Sequence, residues 1–304
     1  MKTHILLFEI IMVLMTTTSS AQDMFHVIQL TSGSERAGFP SWSPDSKSLV
    51  YQITMMNDTL EHNGLWTISA ETKEKKMIFK GIAEHPKWSP DGKQIVFDAD
   101  TGQNIKIISV GEDEARRFLP DTVLIENGGL PCWSPDGSSI AFVEAKNLSL
   151  CTWNFRSGVL KSIFSESGKV PLPGGWWNDG KSIITALMDL KTRESVIMRI
   201  YTDGKDTEQI PCGHEGFYRY LALSPDCSLL VFAAMEANYL GLYIMSSSGG
   251  QYLPLTISDG HNDGPVWSPD GTKIAFSSGR SGTGNVWLMD IDADRIKKEL
   301  QNSR

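Results

Sequence analysis

Four stretches of the chain share one order of apolar, polar and turn-forming positions: "PSWSPDSKSLVY" at 40–51, "PKWSPDGKQIVF" at 86–97, "PCWSPDGSSIAF" at 131–142 and "PVWSPDGTKIAF" at 265–276. In each, an apolar segment ending in tryptophan meets a polar turn. A segment with apolar residues at alternate positions follows, such as Ile95 and Phe97. A period of two marks a strand with one buried face. In Ser89-Pro90-Asp91-Gly92 the proline presets φ for the second position of a type I turn, Asp suits the third, and Gly accepts the left-handed conformation that follows. The pattern predicts a tight hairpin of the type I plus bulge kind. It also makes the repeated aspartates turn residues, because as catalytic groups every copy would need the same chemistry.

Two relaxed copies fill the gaps. "GWWNDGKSII" puts Trp176 at the tryptophan position, and "LALSPDCSLLVF" puts Leu223 there. The repeats centred on Trp42, Trp88, Trp133, Trp176, Leu223 and Trp267 are 43 to 47 residues apart. A period in the forties built from short strands predicts an all-β fold, a six-bladed β-propeller of four-stranded blades. Third strands are expected at segments such as Leu65–Ile68, Ile105–Ile108 and Val286–Met289, and fourth strands at Met77–Phe79, Arg116–Leu119, Leu160–Ile163, Glu208–Ile210 and Tyr252–Leu255. The last repeat has no fourth strand of its own. "HVIQLTSGS" at 26–34 resembles "YLPLTISDG" at 252–260, so His26–Thr31 is expected to complete the sixth blade beside Asn285–Asp290 and close the ring without open edges. Ser46 and Cys227 stand where the other turns have glycine, and a non-glycine residue forced left-handed costs roughly 1 kcal/mol.

"WSPDG" followed by an apolar strand, with "GRSGTGNVWLMDID" at 279–292, resembles the repeat of the TolB-like propellers. These are cousins of WD-repeat propellers and also form the gating domain of prolyl oligopeptidase and dipeptidyl peptidase relatives. The resemblance covers about residues 26 to 292. It implies a propeller that binds protein partners in cell-envelope complexes. The peptidase relatives carry their serine triad on an additional α/β-hydrolase domain, and TolB carries an extra N-terminal α/β domain. Neither is expected here, with the propeller starting near residue 22 and about a dozen residues following it.

The first residues, "MKTHILLFEIIMVLMTTTSSAQDM", read as a secretory signal peptide over 1–21, leaving a propeller domain at 22–304. Ile5–Met15 is too short to span a membrane, so an exported protein, periplasmic or secreted, is expected, monomeric and without a membrane span after cleavage. Net charge is −8 with no basic clusters, a poor match for nucleic acid. Cys132, Cys151, Cys212 and Cys227 are expected as free thiols. Cys132 and Cys151 lie two strands apart in one blade, roughly 9–10 Å, beyond disulfide reach.

No GxSxG, HExxH or phosphate-loop signature is present, no cysteine and histidine take zinc-finger spacing, and no cofactor or metal is expected. The variable part is the set of loops leading into each innermost strand: "SGSERAGF", "KGIAEH", "LIENGGL", "SESGKVPLPGG", "GHEGFYRY" and "SDGHNDG". Each holds an acid (Glu35, Glu84, Glu126, Glu166, Glu215 and Asp263), and three hold a histidine. On a rigid scaffold such loops carry function. The candidate site at the channel mouth is His85, Glu126, His214, Tyr218, Arg219, His261 and Asp263. A metal there would take His214 and His261 from adjacent blades. Two readings stay open: a non-enzymatic scaffold that binds a protein or peptide through this face, and a ligand-binding or carbohydrate- or peptide-degrading propeller with a polar site at the same mouth.

Overall fold

The computed structural model describes residues 25–33, 35–54, 62–100, 104–111, 122–214, 216–236, 238–256 and 260–302. The proposed signal segment, Glu215 and the expected fourth strand at 116–119 lie outside them. The strands are β1 (Val27–Gln29), β2 (Arg36–Trp42), β3 (Ser48–Thr54), β4 (Gly64–Ser69), β5 (Lys75–Lys80), β6 (Ala83–Trp88), β7 (Gln94–Ala99), β8 (Asn104–Ser109), β9 (Thr122–Glu126), β10 (Gly128–Trp133), β11 (Ser139–Glu144), β12 (Ser149–Asn154) and β13 (Leu160–Phe164). They continue as β14 (Lys169–Trp176), β15 (Ser182–Asp189), β16 (Ser195–Tyr201), β17 (Thr207–Ile210), β18 (Tyr218–Leu223), β19 (Leu229–Glu236), β20 (Tyr239–Ser246), β21 (Tyr252–Pro254), β22 (Asn262–Trp267), β23 (Lys273–Ser278) and β24 (Asn285–Asp290). A helix, α1 (Ala293–Asn302), follows.

These strands form six antiparallel four-stranded sheets: a six-bladed propeller. Blades 1 to 5 each use four consecutive strands from β2 onward, and blade 6 has the order β1-β24-β23-β22. The N-terminal strand therefore closes the ring as the sequence predicts, with Val27 opposite Met289 and Gln29 opposite Trp287. Neighbouring innermost strands pack on each other around the ring, β22 against β2 included.

The hairpin turns show why the motif repeats. Ser89 Oγ donates to Asp91 Oδ1 (2.7 Å), the Gln94 N–H donates to Ser89 Oγ (2.9 Å), and the Lys93 N–H donates to Asp91 Oδ1 (3.1 Å). Ser43/Asp45, Ser134/Asp136, Ser224/Asp226 and Ser268/Asp270 repeat the serine-to-aspartate bond at 2.6 Å. The serine hydroxyl and aspartate carboxylate thus satisfy turn N–H groups that no ladder reaches. Gly92 takes φ 71°, and Ser46 (60°) and Cys227 (55°) take the same strained region.

The Ser89 hydroxyl, with the Lys93 N–H, holds the Asp91 carboxyl below its ordinary pKa. A depressed folded-state pKa gives stability that is present above the unfolded value, about 3.9, and lost as pH falls through the folded one. Asp91→Asn, which keeps the acceptor and removes the charge, is expected to lower the urea midpoint at pH 7. The gap should narrow as the pH drops below the ordinary carboxylate range. A gap that does not change with pH would contradict this role.

Each repeat tryptophan packs on the preceding blade: Trp42 joins Val286 and Leu288, Trp133 joins Val96 and Ile105, and Trp267 joins Leu229 and Leu242. The Trp133 indole N–H donates to the Lys87 carbonyl (3.1 Å) and that of Trp176 to the Cys132 carbonyl (3.2 Å), so these two rings also hydrogen-bond across their seams. Helix α1 buries Ile296 and Leu300 in the core cluster shared by blades 5 and 6. All four cysteines are free thiols, and burial pushes the Cys132 thiol up to about 12.

Two expectations are corrected. The fourth strand of blade 2 is β9, within what the sequence presents as a lead-in loop. The lead-in segments of all six blades are partly strand, interrupted by a bulge that begins three residues before the tryptophan position in blades 1, 2, 3, 5 and 6 and by a shift at Gly174 in blade 4. Pro40, Pro86, Pro131 and Pro265 lie in these bulges, where no ladder N–H is required. The same prolines break the alternation that would mark a strand in the sequence.

Candidate functional site

Six equivalent positions, three residues before each tryptophan position, line the waist of the channel: Phe39, His85, Leu130, Pro173, Tyr220 and Gly264. Phe39, His85, Leu130 and Tyr220 hold left-handed φ values of 48–56°, a strain that persists only where the surroundings impose it. Those surroundings are side chains of the preceding blade. Ser277 Oγ accepts the Phe39 N–H (2.9 Å), Gln52 Oε1 accepts that of His85 (3.1 Å), and the Asp98 carboxylate accepts that of Leu130 (2.9 and 3.0 Å). Asp98 also meets His85 Nδ1 at 2.9 Å and is 3% exposed, so it fixes the imidazole from beneath.

The rings then close the channel. Phe39 lies 4.5 Å from His85 and 5.1 Å from Tyr220, centroid to centroid. Gly264 makes room, since a Cβ there would sit 3.2 Å from the Phe39 ring. The cavity left at the waist is only about 50 Å³. Burial pushes the Lys87 ammonium on its wall below the usual lysine range.

Above this plug, on the lead-in face, a cup of about 740 Å³ opens between blades 6 and 1. Its polar lining includes Arg36, Gln52, Glu84, His261, Asp263 and Ser277, and glycines from three segments form much of its wall. Burial raises the Asp263 carboxyl above the ordinary range, opposed by Arg219, His261, Ser277 and His85. Arg219 Nη2 stands 3.4 Å from Asp263 Oδ2, its guanidinium lies 4.6 Å over the Tyr220 ring, and its buried Nε has no partner. His261 Nδ1 accepts the Leu240 N–H at 3.3 Å. A half-buried acid, an incompletely satisfied guanidinium and an imidazole thus meet beside the cup, a combination suited to gripping a polar ligand.

The TolB β-propeller domain matches residues 15–216. The chain belongs to the TolB β-propeller family. An uncharacterised protein of Agrobacterium fabrum is 32% identical over 75 residues, which is 25% of this chain and 26% of that protein. The Tol-Pal system protein TolB of Francisella tularensis is 25% identical over 109 residues, 31% of this chain and 25% of that protein. The matched segments therefore span about a quarter of the curated relatives' length. Among solved structures, TolB from Acinetobacter baumannii superposes with a TM-score of 0.64 at 21% identity, over 79% of this chain and 59% of that one. An oligogalacturonate lyase from Vibrio parahaemolyticus gives 0.58 at 13% identity, over 88% and 94%. At these identities the likeness is one of fold, shared by a TolB protein and a lyase alike.

In this TolB-family propeller, the seven residues chosen from sequence fall into four places. His261 and Asp263 line the cup, Arg219 reaches Asp263 from blade 5, and His85 lies in the plug at the waist. Glu126 is exposed at the end of β9, the outermost strand of blade 2, opposite Asn104. His214 and Tyr218 turn away from the axis into the seam between blades 4 and 5, beside Cys212. Strand alternation explains the split, because Tyr218 and Arg219 are neighbours on β18 and point to opposite faces. His214 and His261 line different cavities. Among the described residues, no three His, Cys, Asp or Glu side chains are placed to hold a metal ion. Phe39, Tyr220, Gln52, Asp98 and Arg36 join the site unforeseen. For the two aromatics, the available signal was their place three residues before the tryptophan position.

Proposed function

We propose that this TolB-family propeller is an exported scaffold that binds a protein or peptide partner of the cell envelope in the cup on its lead-in face. The observation that carries this reading is the cup itself: a blind, asymmetric recess of about 740 Å³ whose floor is sealed by the Phe39–His85–Tyr220 cluster. A ligand must enter from the lead-in side, where cationic Arg36 and anionic Glu84 and Asp263 offer opposite charges and the glycine-rich wall presents backbone. The opposite face is built of near-identical tight turns and offers no comparable variety. The family, and the Tol-Pal system named for one relative, support an envelope partner. No helix among the described residues is long and apolar enough to cross a membrane.

A second reading keeps the same cup but makes it a small-ligand site, with carbohydrate- or peptide-degrading chemistry. The half-buried carboxyl of Asp263 beside Arg219 and His261 favours it.

The test is a titration of the envelope protein captured by the wild-type chain against an Arg36→Ala, Arg219→Ala, His261→Ala variant. Central interface residues dominate affinity, so binding should weaken at least about tenfold while the melting curve stays cooperative. Wild-type affinity in the variant would overturn the assignment. Turnover of an oligosaccharide or peptide, abolished by Asp263→Asn, would favour the second reading.

A further inference from the structure

The waist cavity of about 50 Å³ has a lysine on its wall. Lys87 stands one residue before Trp88. Ser41, Cys132, Gly175, Ala222 and Val266 hold the same place in the other blades, and none of them lines the cavity. Backbone and Cβ at this place therefore stop short of the waist, and the far end of the longer Lys87 side chain is what reaches it. Lys87 is half-buried, and among the described residues nothing hydrogen-bonds or ion-pairs with its ammonium. The field of Asp98 favours the charged lysine, but that carboxylate is already engaged: it accepts the Leu130 N–H and meets His85 Nδ1. Burial works against an ammonium at this place, and a charge held away from bulk water is normally paired.

We propose that the waist is an anion site, in which Lys87 holds one small inorganic anion such as chloride. The sign follows from the lining, which contains the lysine and no Asp or Glu. The size sets the class. At roughly 30 Å³ per water, the cavity has room for a monatomic ion and none for a sugar or a peptide. The ammonium brings three N–H donors and no acceptor. Blades 4 and 5 add backbone donors at the same level. Two residues before the tryptophan position the other four blades have proline, which has no N–H, whereas these two have Gly174 and Leu221, and both line the cavity. Phe39, His85 and Tyr220 share the cavity wall, so an anion there also braces the floor of the cup.

The experiment melts the intact chain at constant ionic strength while chloride replaces gluconate, an anion too large for the cavity. Chloride should raise the melting temperature along a saturable curve, as a ligand of the native state does. Lys87→Met, which keeps the length of the side chain and removes its charge, should weaken the apparent chloride affinity at least about tenfold. Crystals grown with bromide in place of chloride locate the ion independently, and decide the matter even where Lys87→Met fails to fold. The anomalous peak is expected at the waist, within hydrogen-bond reach of Lys87 Nζ. A melting temperature that does not respond to chloride would overturn the proposal, and so would the same response in Lys87→Met. Bromide peaks confined to the surface, with none at the waist, would mean an adventitious ion only and would overturn it as well.

Discussion

Deleting residues 22–32 should produce a chain that aggregates or melts far below the intact protein. The deletion removes β1 and what β1 covers. The Leu30 and Thr31 N–H groups both donate to the Val286 carbonyl, and the Thr31 hydroxyl joins Asn285 Oδ1 (3.0 Å) and the Val286 N–H (2.9 Å). Leu30 is 3% exposed in the cluster shared by blades 6 and 1, and Val27 packs in the cluster of blades 5 and 6. Each buried aliphatic side chain is worth about 1.5–3 kcal/mol. Their loss comes together with a bare edge on β24 that can template pairing between chains. Light scattering and thermal unfolding check the outcome. A truncated chain that stays monomeric with an unchanged melting curve would show that β1 does not hold the ring closed.

Trp267→Ala is the point substitution expected to cost most among the repeat tryptophans, about 3–5 kcal/mol, as large aromatic-to-Ala core changes do. Trp267 is 5% exposed and touches residues of blades 5 and 6, in the same cluster as Ile296 and Leu300 of α1. Its loss should loosen one seam and the helix that braces it. The Trp133 side chain is only half-buried, although its indole bonds Lys87. Trp133→Ala should therefore cost less. Urea denaturation of both variants measures the difference. A cost for Trp267→Ala below about 1 kcal/mol would mean that the seams do not depend on these rings.

The propeller was legible in the sequence because its repeat is written in residues that act locally. Ser, Pro, Asp and Gly dictate a turn by their own hydrogen bonds and φ preferences, and the tryptophan marks the seam one residue earlier. The closing strand was legible because "HVIQLT" repeats a pattern found in blade 5 and stands where a strand was missing. The fourth strand of blade 2 was not: "TVLIE" runs directly into the glycines of "NGGL", which signal a loop, and the strand follows a segment without clear alternation. The site was half legible. Asp263 and His261 lie before the bulge of their blade, where side chains face the mouth. At Tyr218 and Arg219 the assignment turns on strand register, which a one-residue shift inverts. Asp98 and Gln52 could not be found from sequence, since both hold a backbone N–H of the next blade.

The most direct measurement of the central claim places a photoreactive crosslinking residue at one of two exposed positions, Thr54 in the cup or Lys93 on the turn face, and irradiates each variant in an envelope extract. If the cup is the binding surface, the Thr54 variant yields a discrete adduct with one envelope protein and the Lys93 variant does not. An adduct from Lys93 with none from Thr54 would place the binding surface on the turns and contradict the account.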